Sequence, residues 1–336
     1  MSKLTTIAVD AMGGDNSPNK VINGINHHFQ TNNNIFYKIF GDSDEIKKVL
    51  PKALPATSFE IIHTKEKVKG TDSALSAARG KDSSMWLAIE SVKNKESDII
   101  ISAGNTGALF VIAKLNLKMI ENIDKPALAG LWPNKNGTNI VLDLGASIDC
   151  SEKNLVDFSI MGSALFKALF PNEESKVAIL NIGSEEIKGH EILKKAYEIL
   201  NSNNNFNLKF NGYVEGNEIM NGLSNVIVTD GFTGNVALKT AEGTANFITN
   251  ELKKTMTSSF FGKISSLINI KNIKKFKKRF DPRLYNGAIL LGLDTPVVKS
   301  HGATDFIGFS NSLNVCEKIV KGDLINKIKK ILVNES

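Results

Sequence analysis

Ser102, Gly104, Asn105, Thr106 and Gly107 fall within the run Asp98-Ile-Ile-Ile-Ser-Ala-Gly-Asn-Thr-Gly-Ala108, where β-branched residues lead straight into a small polar turn. An apolar spacing of helical period follows at Leu109, Ile112, Leu115 and Met119. The pattern predicts a strand, a tight turn and a helix N-terminus. The first turn of a helix has unpaired N–H groups and partial positive charge, so it suits an oxyanion such as phosphate. Gly104 and Gly107 let the backbone approach such an anion with no Cβ in the way. An ordinary strand-to-helix connection has the same appearance, so one turn does not decide the matter.

The same order of residues recurs along the chain. Asp10-Ala-Met-Gly-Gly-Asp15, which holds Gly13 and Gly14, follows the strand Ile7-Ala-Val9. Asn16, Ser17 and Pro18 then predict a helix opened by a cap and an N1 proline. Asn139-Ile-Val-Leu-Asp-Leu-Gly145, Val177-Ala-Ile-Leu-Asn-Ile-Gly183 and Asn225-Val-Ile-Val-Thr-Asp-Gly231 repeat the passage from apolar strand to polar residue to glycine. Such segments alternating with helices predict an α/β fold built on a mostly parallel, doubly wound sheet. Ligands of such sheets gather outside the carboxyl ends of the strands. Asp10, Ser102, Asp143, Asn181 and Asp230 are therefore expected to converge on one rim.

At 336 residues the chain can bury a large core, as one elaborated domain over 1–336 or as two closely joined lobes. Cys150 and Cys316 are the only cysteines, which excludes a disulfide framework and favours a reducing cytosol. Cys316 shares a helical apolar face with Leu313, Val320 and Leu324 and reads as a structural thiol; Cys150 follows Asp149 in a turn with no base at a familiar spacing. The five histidines form no zinc-binding pattern, so no metal is expected. The apolar stretch Ile7–Val9 is too short for a signal peptide, and no run of 18 apolar residues spans a bilayer. The asparagine clusters 32–34 and 203–205 read as surface loops.

Charge is concentrated in one place. Residues 251–280 hold nine basic residues and one acidic, a net of +8, so the rest of the chain, whose total is +6, sums to −2. Leu252, Met256, Phe260, Phe261, Ile264, Leu267, Ile268, Ile273, Phe276 and Phe280 recur there at largely helical spacing, with lysines between them. An apolar stripe flanked by lysines is the pattern of a helix lying in a membrane interface. A helix packed on the body, or on a second copy, would also account for it. Gly262 and Asn269–Asn272 are the places where the segment is expected to break. Few aromatics stand elsewhere to stack bases, so nucleic acid is not expected as a partner.

Taken together, these segments resemble the bacterial phosphate acyltransferase family (the PlsX type) of fatty-acid and phospholipid synthesis. The carrying residues are Val9-Asp-Ala-Met-Gly-Gly-Asp-Asn-Ser-Pro18, Ser102-Ala-Gly-Asn-Thr-Gly-Ala108 and Val141-Leu-Asp-Leu-Gly-Ala146. Asn181-Ile-Gly-Ser-Glu-Glu-Ile-Lys-Gly189, Tyr213-Val-Glu-Gly216, Asp230-Gly-Phe-Thr-Gly-Asn-Val-Ala-Leu-Lys-Thr240 and Lys299-Ser-His-Gly302 follow in the family's order. One stretch departs: Ala303-Thr-Asp-Phe-Ile-Gly-Phe309 is bulkier than the family's serine- and alanine-rich helix start. The resemblance implies a three-layer α/β/α fold akin to phosphate acetyltransferases and isocitrate-type dehydrogenases. It also implies a homodimer in the cytoplasm, attached peripherally to the inner, anionic face of the cell membrane. The implied reaction moves a fatty acyl group from acyl carrier protein to inorganic phosphate. Its product would feed a glycerol 3-phosphate acyltransferase downstream.

That chemistry needs neither a protein nucleophile nor a cofactor. Phosphate is itself the nucleophile, and a thiol of pKa near 8.5 is a tolerable leaving group. The protein must supply position and charge. Lys188, just beyond Asn181-Ile-Gly183, is the leading cation. Asn235 stands at a helix start, where its amide either caps the helix or donates to the oxyanion; the resemblance favours the second role. Asp10, Asp143 and Asp230 would repel phosphate, so they are expected to orient Lys188 or backbone amides. Arg79, Lys81, Ser83 and Ser84, with Asp82 as cap, form a second polar cluster suited to the phosphate or to the carrier's phosphopantetheine arm. His301 is a candidate proton donor to the leaving thiolate. Three rivals remain. A short-chain phosphotransacetylase using coenzyme A shares the architecture, and a membrane-surface adaptor would use only 251–280. A nicotinamide-dependent dehydrogenase lacks its Gly-x-Gly-x-x-Gly turn here.

Overall fold

The computed structural model describes residues 4–202, 206 and 208–333, without the side chains of Lys263 and Ser266. The expected loop at 203–205 lies outside the described residues. The first half of the chain runs β1 (Thr5–Asp10), α1 (Asn19–Phe29), β2 (Ile35–Gly41), α2 (Ser43–Val49), β3 (Phe59–His63), α3 (Ala74–Ala77), α4 (Ser84–Lys93), β4 (Ile99–Ser102) and α5 (Thr106–Asn116). Then come β5 (Ala127–Pro133), β6 (Thr138–Leu142), α6 (Glu152–Leu169), β7 (Lys176–Asn181), α7 (Glu191–Ser202), β8 (Lys209–Glu215) and β9 (Val226–Val228). Three helices follow in succession: α8 (Gly231–Thr257), α9 (Phe260–Ile268) and α10 (Ile270–Arg279). The chain closes with β10 (Ala288–Leu291), β11 (Val297–Lys299), α11 (Phe306–Lys321) and α12 (Leu324–Val333).

All strands join one sheet in the order β3-β2-β1-β4-β11-β10-β5-β6-β9-β7-β8. The strands β3, β2, β1, β4 and β11 are mutually parallel, as are β6, β9, β7 and β8. Between the blocks, β11 with β10, β10 with β5, and β5 with β6 pair antiparallel. An odd number of reversals leaves the two parallel blocks pointing in opposite directions. The expected single rim is therefore two rims. Asp10 and Ser102 end strands of one block, while Asp143, Asn181 and Asp230 lie at the carboxyl ends of the other, across the sheet. Strand polarity depends on pairing partners far apart in sequence, and local patterning does not contain it.

Burial explains the apolar runs. Ile99, Ile100 and Ile101 are wholly buried because helices cover both faces of the sheet. Phe158 and Phe166 of α6 are buried in the largest core cluster, and Gly162 lets that helix press on Val226 and Leu142. The bulkier start of α11 has a structural role. Phe309 is wholly buried against Gly24 of α1, where an added Cβ would lie 2.8 Å from its ring.

Several local expectations are corrected. Pro18 itself occupies the N-cap position of α1, and Ser17 Oγ donates to Gly13 O instead. α5 ends at Asn116, so Leu115 faces solvent and Met119 bridges to Leu293 outside the helix. Ser83, not Asp82, caps α4 by accepting from Trp86 N–H. In 251–280 the chain breaks at Ser258–Ser259 and at Asn269, whereas Gly262 lies inside α9 with its N–H on the Ser259 hydroxyl. A serine side chain that satisfies the first-turn N–H sets the break more firmly than a glycine does.

Beneath the α1–α11 contact, the wholly buried His28 meets Tyr37 Oη at 2.7 Å and Glu317 at 3.4 Å. Burial lowers the His28 pKa to about 4 despite Glu317. The unfolded chain therefore binds a proton between pH 6.5 and 4 that the folded chain refuses, and stability falls as pH drops through this window. The full effect is about 3 kcal/mol. Urea unfolding of the wild type across pH 4–7 should show this decline, and His28→Gln should flatten it even where it lowers stability throughout.

Candidate functional site

Asp10 closes β1 and pairs in register with Ser102 of β4, whose other neighbour in register is Lys299 of β11. The Asp10 carboxylate is 1% exposed. Its Oδ2 accepts from Ser102 Oγ at 2.6 Å, and its Oδ1 from Ser84 Oγ at 2.7 Å and Met12 N–H at 3.2 Å. Ser102 Oγ in turn accepts the Gly104 N–H at 3.0 Å. Burial pushes the Asp10 pKa up, opposed by the hydrogen bonds from Ser102 and Ser84. The carboxylate thus ties together the turn after β4 and the first residue of α4. The turns of Gly13 and Gly104 meet so closely that a Cβ on Gly13 would stand 2.6 Å from both Asp10 Oδ2 and Gly104 N. Gly14, at φ +80°, adopts a backbone that favours glycine. Asn105 caps α5 by accepting from Ala108 N–H, so the N-termini of α4 and α5 both open on this rim.

Two lysines that sequence reasoning missed complete it. Lys20 is 5% exposed, and its Nζ donates to Gly302 O at 2.6 Å. Lys299 is 9% exposed and donates to Ser300 O. Burial lowers the pKa of both. For Lys299 the nearby Lys20 charge adds to the effect, Asp10 opposes it, and the value is about 8. Lys20 looks like any amphipathic-helix lysine. The available signal was Lys299, a charge ending the apolar strand Val297-Val298, which only a paired or functional role would retain. His301 follows it. Its Nδ1 accepts from Ala303 N–H at 3.2 Å, and burial, together with the Lys299 charge, lowers its pKa.

The other rim is differently built. The wholly buried Asp143 accepts from the N–H groups of Leu128, Gly145, Ala146 and Ser147 at 2.6–3.1 Å. Burial raises its pKa against those bonds. Asp230 caps α8 through Thr233 N–H and Oγ1. Both acids organise backbone amides, as expected, and neither touches Lys188. Lys188 is about half exposed and pairs with Glu185 at 3.3 Å, while Asn181 holds its carbonyl at 3.0 Å. Since Asp230 is the cap, Asn235 is left exposed on the first turns of α8, beside Gly145. Arg79 and Lys81 are exposed in the loop before α4, outside the Asp10 rim, whereas Ser83 and Ser84 are buried beside it. Cys150 is half-buried, with its thiol pushed up to about 11, and Cys316 is wholly buried. No cluster of metal-ligating side chains occurs among the described residues.

One element spans the two rims. α8 starts at the Asp143 rim, and Lys239 and Glu242 act electrostatically on His301 at the other. Eight residues of helix rise ~12 Å, so the opening turns of α8 cover the distance from the Asp143 turn to the groups that act on His301.

The chain matches the family described as fatty acid synthesis protein over residues 5–327. It is 69% identical to a phosphate acyltransferase of Pelagibacter ubique over 330 residues, covering 98% of this chain and 99% of that one. It is 41% identical to the phosphate acyltransferase of Paramagnetospirillum magneticum, covering 98% and 94%. The chain belongs to the phosphate acyltransferase family. That family consists of acyltransferase enzymes. By fold it is similar to a phosphotransacetylase from Streptococcus pyogenes, with TM-score 0.63, 16% identity and coverage of 97% and 95%. A 4-hydroxythreonine-4-phosphate dehydrogenase-like structure from Salmonella typhimurium shares the fold at TM-score 0.54, 11% identity and coverage of 95% and 100%. These two likenesses establish the three-layer α/β architecture. The closeness of the Gly13 and Gly104 turns is directly testable. Gly13→Ala should lower the urea midpoint by about 1–3 kcal/mol of stability, as overpacking does. Gly216→Ala, where a Cβ meets open space, should stay within about 0.5 kcal/mol.

Proposed function

We propose that this enzyme transfers a fatty acyl group from the thioester of acyl carrier protein to inorganic phosphate at the Asp10–Ser102–Lys299 rim. One observation carries the reading: two buried ammonium groups, Lys20 and Lys299, act on each other, with the buried Asp10 carboxylate facing Lys299 and the exposed Asp15 facing Lys20. Two like charges held this close in a buried place repel each other, and an anion between them relieves that repulsion. The N-termini of α4 and α5 add partial positive charge from the same side.

A phosphate oxygen held there attacks the thioester carbon. A C–O bond forms and the carbonyl pair moves onto oxygen. Collapse of that tetrahedral oxyanion expels the carrier thiolate, which takes up a proton, and leaves acyl phosphate. The partial positive charge at the first turns of the two helices stabilises the oxyanion. His301, held below its ordinary pKa, is neutral at pH 7. With Nδ1 accepting from Ala303, its proton sits on Nε2, which makes it a hydrogen-bond donor to phosphate in this reading, in place of the acid the sequence suggested. Lys188 and Asn235 belong to the opposite rim. Their role here is with the acyl donor, reached along α8.

The acyl donor, phospholipid synthesis and membrane attachment belong to the same proposal. Phe260, Phe261, Leu267 and Ile268 are each more than two-thirds exposed, and the lysine-rich α10 follows them in sequence. Arg279 donates to the carbonyls of Asn134 and Lys135, and Arg283 joins Asp281 to Asp305, close behind His301. The amphipathic helices therefore return to the body beside the proposed site, where a lipid product would leave. Exposed apolar residues of α8, Phe232, Val236 and Phe247, suit a second copy in a homodimer. Among the described residues, no helix is long and apolar enough to cross a membrane. The fold likeness to phosphotransacetylases favours one other reading, a short-chain transfer from coenzyme A. Higher turnover with acetyl-coenzyme A than with long-chain acyl carrier protein would establish it instead.

Lys299→Met should raise the KM for phosphate at least tenfold in an acyl-phosphate assay, with a smaller effect on the KM for the acyl donor. The Lys299 charge is present below about pH 8 and is lost above it, so phosphate binding should weaken as pH rises through that value. In liposome flotation, replacing Phe260, Phe261 and Phe276 by serine should release the protein from anionic vesicles. High salt should weaken attachment of the wild type.

A further inference from the structure

We infer that residues 64–83 form the docking platform for an acidic carrier protein whose thioester arm enters beside Ser83 and Ser84. The inference rests on the acyl-transfer reading above and assigns its protein partner a surface. The segment is a strap laid over the N-termini of α4 and α5. Thr64 Oγ1 donates to Asp82 O at 2.6 Å, and Ser84 N–H donates to Glu66 O at 3.0 Å. The Asn105 amide donates to Gly70 O and Asp72 O at 3.1 and 3.0 Å. The residue that caps α5 thus also fastens the strap, which ties its position to the proposed site.

Its outer surface is cationic. Lys65, Lys67, Lys69, Arg79 and Lys81 are all exposed, against the carboxylates of Glu66, Asp72 and Asp82, a net of +2. With +8 in 251–280 and +6 for the whole chain, everything outside these two segments sums to −4. The strap is thus one of the positive loci on a body that outside it and 251–280 leans acidic, α12 with Lys327, Lys329 and Lys330 being another. Leu75, 72% exposed, stands among these cations. An apolar anchor ringed by charge is the make-up of a protein interface.

The strap also leads inward. A cavity of about 260 Å3 is lined by Glu66, Lys67, Val68, Asp72, Ser76 and Ser83, among others. Ser83 is adjacent to Ser84, whose hydroxyl donates to Asp10 at 2.7 Å. The cavity therefore reaches the residue that precedes Ser84, and an arm held in it would lie at the N-terminus of α4. An acidic carrier held by the lysines would present its thioester there, and the attraction would steer encounter and weaken with salt.

The test compares K65E/K69E, which leaves the cavity lining intact, with wild type, using long-chain acyl carrier protein and the pantetheine thioester of the same fatty acid, each with phosphate. The expected result is a fall of at least tenfold in kcat/KM for the carrier, with its salt dependence flattened. The pantetheine thioester should be turned over as by wild type, and the thermal midpoint should be unchanged. Fluorescence anisotropy with labelled carrier gives a second reading, and the variant should bind it at least tenfold more weakly. Equal losses with both donors would overturn the docking role, as would unchanged carrier binding or weakened flotation with anionic vesicles alone. If wild type forms no acyl phosphate from either donor yet the variant loses carrier binding, the acyl-transfer reading fails and the docking surface stands.

Discussion

The buried carboxylate of Asp10 is the interaction around which the rim is organised. Held by the hydroxyls of Ser84 and Ser102, it joins the ends of β1 and β4 to the first residue of α4. The Ser102 hydroxyl passes the connection to Gly104 N–H, so the turn that opens α5 is fixed as well. Such a group is tolerable in a core only because each oxygen is hydrogen-bonded and a cation stands near. Lys299 of β11 supplies that charge, and Lys20 of α1, which faces Asp15, acts on Lys299 in turn. The result is a firm rim whose turns meet backbone to backbone, with glycines where a side chain would clash.

The reversal of the sheet is the second constraint. Because β10 and β5 run against their neighbours, the two parallel blocks present their carboxyl ends in opposite directions. Polar residues that look equivalent in sequence are separated across the sheet and do different work. Asp143 spends its oxygens on four backbone amides and Asp230 on a helix cap. The Asp10 rim alone gathers buried lysines. α8 links the rims, and its outer part leads into the two short amphipathic helices.

Those helices return to the body at Arg279 and Arg283, beside the turn that carries His301. In the reading proposed above, a water-borne anion, a protein-borne acyl group and a lipid-like product use the Asp10 rim, the cationic strap and the amphipathic excursion, and α4 and α5 begin at the rim where β11 ends.

Much of this was legible in the chain itself. Apolar strands followed by small polar turns gave the α/β class, and the glycine pairs at 13–14 and 104–107 marked where backbone must come close. Cys316 was recognisable as structural from its apolar face, and the charge of 251–280 from counting alone. These are local properties, set by periodicity and side-chain size over a few residues. Which strand ends share a rim was not local, because polarity depends on pairings as distant as β4 with β11. Lys20 and Lys299 were invisible for the same reason: an ordinary helix lysine and a strand-end lysine become one buried pair only when α1 and β11 meet around Asp10. Lys188 and Asn235 also follow strand ends, and those strands belong to the block of opposite polarity, which no local pattern announces.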